Sequence, residues 1–141
     1  MEERAEAAGI GFTPGRTHRS SSHLALQAAE FAAEQGEAQA FHRPLFEAYF
    51  ERLEDIGDID TLVRIGGEAG LPEPDLREAL AQETYRQQVE DGVGWAREAG
   101  VRSVPTFIFD EEYAIVGAQE YDAFQSVMTQ LGREPGAAAG A

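Results

Sequence analysis

The chain has 141 residues, 43% of them hydrophobic and 26% charged, which is the composition of one ordinary soluble globular domain. Its 26 acidic against 11 basic residues give a formal charge of −15, a surface that repels nucleic acid and anionic membranes and excludes both as partners. It contains no cysteine, which excludes disulfides, thiolate metal sites and a cysteine nucleophile on these residues.

No run approaches the roughly 18–20 apolar residues that a membrane-spanning helix needs. The start, MEERAEAAG, is acidic and alanine-rich and lacks the apolar core of a secretion signal, so a cytoplasmic location is expected. MEERAEAAG reads as a helix end stopped by Gly9, and IGFTPGRTHRSSS, rich in Gly, Pro, Ser and Thr, reads as a loop. A helical pattern then runs through HLALQAAEFAAEQG, with Leu24, Ala28, Phe31 and Ala32 on one face, Ser22 as N-cap and Gly36 as stop. The segment EAQAFHRPLFEAYFERLED carries Phe41, Leu45, Phe46, Tyr49 and Phe50 as a broad apolar stripe that suits a packed helical core. Pro44 falls within that stripe, marking either a kink or a first helical turn.

Asp58 or Asp60 can cap the next helix, IDTLVRIGGEAG, and LPEPD separates it from DLREALAQ. TYRQQVEDGVGWAREAG reads as a long helix with Tyr85, Val89, Val93 and Ala96 at helical spacing, ended by Gly100. Gly92 and Gly94 each weaken it by roughly 1 kcal/mol relative to alanine, which predicts close packing or a kink there. Trp95 on this helix is expected to pack between domains. Beyond Gly100 the pattern turns to strands, TFIFD and YAIVG separated by a tight DEE hairpin. GAQEYDAFQSVMTQLG resumes helical spacing through Tyr121, Phe124, Val127, Met128 and Leu131, with Gln119 as a candidate cap. REPGAAAGA has no core pattern. A lone two-stranded hairpin is marginal in water and leaves both edges open, so this sheet expects more strands than the chain supplies.

Few residues offer chemistry. His18, His23 and His42 are the only histidines, and a metal site needs three or four convergent ligands, so none is expected. The acidic pairs Glu54–Asp55 and Asp58–Asp60 read as caps and solvated surface rather than general acid–base groups. Serines 20 to 22 lack an evident base partner. The Val104–Pro105 turn is the exception. By pattern alone Pro105 can simply start a strand, where proline is tolerated.

The stretches SSHLALQAAEFAAEQG, AFHRPLFEAYFERLEDIGDIDTLVRIGGEAGL, AREAGVRSVPTFIFD and YAIVGAQEYDAF carry a resemblance. From about Thr13 to Leu131 the chain resembles the later part of DsbA-like thioredoxin-fold proteins, closest to the cytoplasmic FrnE-like branch. The resemblance implies an α/β thioredoxin-like fold with a mostly helical insertion domain over residues 23–100 and a C-terminal ββα unit over 101–132. Residues 1–22 would be the helix end and loop before the insertion, and 133–141 a disordered tail. The family's first βαβ half, which carries Cys-x-x-Cys at a helix N-terminus where dipole and amides lower the thiol pKa, would be missing.

By the same resemblance Val104–Pro105 is expected to be cis, and Ser103, Val104, Pro105 and Thr106 to be substrate-binding. Val104 would present its backbone to an extended peptide, which pairs as an added strand. The implied function is the C-terminal part of a thiol-disulfide oxidoreductase, supplying turn and helical lid but no dithiol, with no cofactor and no catalytic residue of its own. Its partners would be an extended peptide or thiol substrate, and a Cys-x-x-Cys-bearing half or a second copy. Two further readings are a non-catalytic peptide-binding or interaction module, and a relative of the glutathione-dependent 2-hydroxychromene-2-carboxylate isomerases.

Overall fold

A computed structural model describes Gly9, residues 11–15, Thr17 and residues 20–133. The helix expected before Gly9 and the tail beyond Arg133 lie outside these residues. The chain divides into two compact units, Met1–Val93 and Gly94–Ala141.

In the first unit, α1 (His23–Glu34) buries Ala28, Phe31 and Ala32 of the face its spacing predicts, together with Ala25 and Gln27, while Leu24 packs only partly buried at the core's edge. Ser22 occupies the N-cap position, but its backbone is already helical and its side chain makes no capping bond. The other end is built as expected. Gly36 takes φ +80°, the Gly36 amide donates to the Ala33 carbonyl at 3.0 Å, and the Glu37 amide to Ala32 at 2.8 Å, a Schellman closure.

Helix α2 (Ala38–Phe46) runs directly into a π-helical segment, Glu47–Glu51. Pro44 is inside α2 rather than in its first turn. Lacking an N–H, it removes one ladder bond, and after it the ladder widens: the Arg52 amide reaches back to the Glu47 carbonyl at 3.0 Å. This corrects the broad apolar stripe. Phe41, Leu45 and Ala48 are buried and Tyr49 packs at the core's edge, but Phe46 is 57% and Phe50 36% exposed. One residue past Leu45 is a rotation of about 100° around the helix axis, which takes Phe46 off the buried face.

Asp58 caps α3 (Ile59–Glu68), its carboxylate accepting from the Thr61 amide at 2.9 Å, and Leu62, Val63 and Ile65 point inward. Against them packs α4 (Glu73–Ala81) through Leu76, Ala79 and Leu80. The pair fits closely because Gly66 has no side chain: a Cβ there would lie 2.4 Å from Leu76 Cδ2. Helix α5 (Arg86–Glu98) contributes Val89 to this unit, and Tyr85 just before it meets Phe31 edge-on at 6.1 Å. The close packing expected at Gly92 and Gly94 is not found: a Cβ at either would meet nothing within 4 Å. The division between the two units falls between them, after Val93.

In the second unit, Gly100 (φ +77°) closes the end of α5, with the Val101 amide donating to the Ala96 carbonyl at 2.9 Å. Strands β1 (Thr106–Phe109) and β2 (Tyr113–Val116) pair antiparallel, with Phe107 opposite Ile115 and Phe109 opposite Tyr113. Asp110 and Glu111 both take positive φ, and the Glu112 amide closes the turn on the Phe109 carbonyl at 3.0 Å, the conformation whose twist matches a two-stranded ribbon. Helix α6 (Tyr121–Gln130) places Phe124 on Phe107 at 4.9 Å and on Phe109 at 6.3 Å. The architecture is thus mostly helical with one two-stranded antiparallel sheet among the described residues. No helix among the described residues is long and apolar enough to cross a membrane.

Candidate functional site

Ser103, Val104, Pro105 and Thr106 form one continuous turn at the start of β1. The Thr106 hydroxyl donates to the Ser103 carbonyl at 2.7 Å, which fixes the turn from inside. The Pro105 carbonyl accepts from the Gly117 amide at 2.8 Å, tying the turn to the far end of β2. The Val104–Pro105 peptide bond is cis. Val104 itself is 88% exposed, and among the described residues its backbone makes no hydrogen bond to another backbone group. An exposed apolar side chain beside unused backbone donors and acceptors is what pairing with an extended chain requires.

The surface around the turn is unusually apolar. Val116 and Tyr121 are exposed, Phe107 and Ile108 are partly uncovered, and Ile115 is the buried hydrophobic residue of this unit among the described residues. Trp95, which the sequence placed in packing, is 62% exposed. It lines a cavity of about 350 Å³ with Ile108, Tyr113 and Ala114, rimmed by Glu111 and Glu112. Gln119 does not cap α6, because Glu120 occupies that position; its side-chain amide instead donates to the Val116 carbonyl at 3.0 Å, steadying the end of β2 beside the turn.

Other sequence candidates take structural roles. His23 Nδ1 lies 3.1 Å from the buried Gln27 amide, and His42 stacks on Phe46; His18 lies outside the described residues. Among the described residues no group of three or more His, Asp or Glu is placed to hold a metal. Glu54 pairs with Arg52 and Arg64, Asp60 pairs with Arg77, and Asp58 caps α3. The hydrogen bond from Arg52 to Glu54 raises the guanidinium pKa above its ordinary value. Ser20 Oγ is buried without a hydrogen-bond partner among the described residues.

A second feature escaped the sequence reading. His42, Phe46 and Phe50 form an i, i+4, i+8 row separate from the buried Phe41 and Leu45, and they line a cavity of about 550 Å³ in the first unit. The spacing was visible; merging both rows into one stripe hid it.

A family model of the DSBA-like thioredoxin domain matches residues 1–129. The chain is 29% identical over 131 residues to the uncharacterized protein YwbO of Bacillus subtilis (strain 168), an alignment covering 92% of this chain and 65% of that protein. The crystal structure of a probable DsbA oxidoreductase from Streptomyces coelicolor superposes with a TM-score of 0.82 at 24% identity, over 96% of this chain and 59% of the other. The chain therefore spans less than two thirds of the length of either relative.

Proposed function

The chain belongs to the DSBA-like thioredoxin domain family, and from that membership we propose that it supplies the substrate-facing turn and helical cover of a thiol-disulfide oxidoreductase without supplying the dithiol. The observation that carries this reading is Val104, 88% exposed at the head of β1 beside a turn braced from both sides. A substrate would lie as an extended segment along Ser103–Thr106, held by backbone pairing at Val104 and by apolar contact with its side chain. The thiolate that attacks a substrate disulfide would come from a Cys-x-x-Cys-bearing segment, on the same polypeptide or a partner, since these 141 residues hold no cysteine. That segment, or a second copy, would also pair the open sheet. Placement in the FrnE-like branch belongs to the same reading.

The absence of cysteine also favours a second reading, a binding module that holds extended chains and breaks no bond. Both readings share the turn, and one titration tests it. Adding a thiol-blocked, unfolded insulin B chain to the labelled protein should shift the amide resonances of Ser103, Val104 and Thr106. Val104→Asp should weaken binding about 5-fold or more, the equivalent of about 1 kcal/mol. Shifts confined to other regions, or binding that this variant leaves unchanged, would remove the turn from the site. Insulin reduction catalysed by a mixture with a Cys-x-x-Cys-bearing half, and by neither alone, would decide for the oxidoreductase over the module.

A further inference from the structure

The larger cavity lies in the first unit, away from the turn in sequence, and it is built rather than incidental. Its floor is the row His42, Phe46 and Phe50, with ring centroids 6.1 and 6.2 Å apart and planes 29° and 39° from parallel. Gly9 and Gly11 line its wall, and Gly11 opens a loop that runs on to Thr13. The Thr13 amide donates to the Phe50 carbonyl at 2.9 Å, and its hydroxyl to the Glu51 carbonyl at 2.6 Å, so the loop is fastened to the π-helical segment at two points. Phe12 reaches over Phe50 at 6.2 Å. At Gly11 the backbone comes close to the Glu51 side chain: a Cβ there would lie 2.3 Å from its carboxyl carbon, so a larger residue would push the carboxylate aside. The loop backbone thus closes directly over that carboxylate. At about 550 Å³ the space falls within the range of small-molecule sites, and π-helical turns recur at functional sites.

The charges select the ligand. Glu47 and Glu51 stand one turn apart on the same lining. Glu47 holds Arg43 at 3.0 Å, which occupies the nearest cation, whereas Glu51 forms no ion pair among the described residues. Aromatic faces carry negative potential and attract cations, and the formal charge of −15 draws cations toward the whole molecule. We infer that this cavity binds an organic cation: an ammonium or guanidinium group carried on a flat apolar body. The body lies along Phe46 and Phe50, and the cationic end meets Glu51. Among the described lining residues an anion would face two carboxylates and one cation, Arg43, which is already paired.

The probe is benzamidinium, compared with neutral benzamide and anionic benzoate, titrated into the isotopically labelled 141-residue chain. Benzamidinium should shift amides between His42 and Glu51 and bind about 5-fold or more tightly than either comparison compound, the scale of about 1 kcal/mol for one cation–aromatic contact. Phe46→Ala trims a largely exposed ring and Glu51→Gln preserves shape; each should weaken benzamidinium about 5-fold, and the isosteric variant decides if the truncation disturbs the fold. Equal binding of benzoate and benzamidinium, unchanged affinity in Glu51→Gln, or shifts confined to Ser103–Thr106 would each overturn the inference. The last of these would leave the reading of the turn intact.

Discussion

At the scale of single residues, Tyr85 shows how a distant partner sets a side chain's behaviour. Its hydroxyl donates to the Glu34 carboxylate, and that hydrogen bond, together with burial and the negative charge of Glu34, pushes the phenol up from 10.0 to about 12. The folded pKa lies above the unfolded one. The stabilisation is therefore fully present below pH 10 and is lost as pH rises through about 12. Tyr85→Phe keeps the ring against Phe31 and removes only this bond. It should destabilise the protein at neutral pH by about 1 kcal/mol, below the usual range for a charged hydrogen bond because the hydroxyl is open to solvent. Urea melts of the two proteins should converge between pH 10 and 12; a gap that stays constant there would mean the loss is one of packing. The sequence places Tyr85 on an apolar face through its spacing to Val89. It gives no sign of Glu34, because a polar contact across 51 positions leaves no periodic trace.

Secondary elements divide by how local their causes are. Asp58 and Gly36 act within one turn, so the start of α3 and the end of α1 are legible in the sequence. The π-helical segment is not: it depends on Pro44 being accommodated inside α2, which the sequence leaves open between a kink and a first turn. Pro44 and the row His42, Phe46 and Phe50 can be read together only once that choice is made, so the cavity that row lines is not legible in the sequence. Helix α5 offers a test of a rule that local reasoning stated and tertiary structure redirected. Gly92 and Gly94 weaken the helix, yet no neighbour fills the space where a side chain would stand. Gly92→Ala should therefore stabilise the protein by about 0.5–1 kcal/mol, through helix propensity and a less flexible unfolded chain. Chemical denaturation followed by circular dichroism measures it, and a destabilised variant would mean that a bend at this position is part of the native structure.

Across the whole molecule the two units are built to different standards. The first encloses Phe41, Leu62, Ile65, Leu76 and Leu80 completely, whereas the second buries Ile115 among its described residues and leaves Val104, Val116 and Tyr121 largely in water. Among the described residues the sheet has two strands with both edges open, which supply too little burial to hold themselves firmly, as the two strand patterns of the sequence lead one to expect. Native-state hydrogen exchange should resolve the difference. Amides of β1 and β2 should exchange at least about 100-fold faster than those of α3 and α4, because opening the hairpin uncovers little apolar surface. The gap should narrow when a strand is supplied to either open edge, since pairing adds backbone hydrogen bonds along it. Equal protection of hairpin and helices in a dilute solution of the chain would show that α6 and the perpendicular contact of Phe107 with Phe124 suffice. The need for added strands would then fall, and with it the argument that this unit waits for a partner.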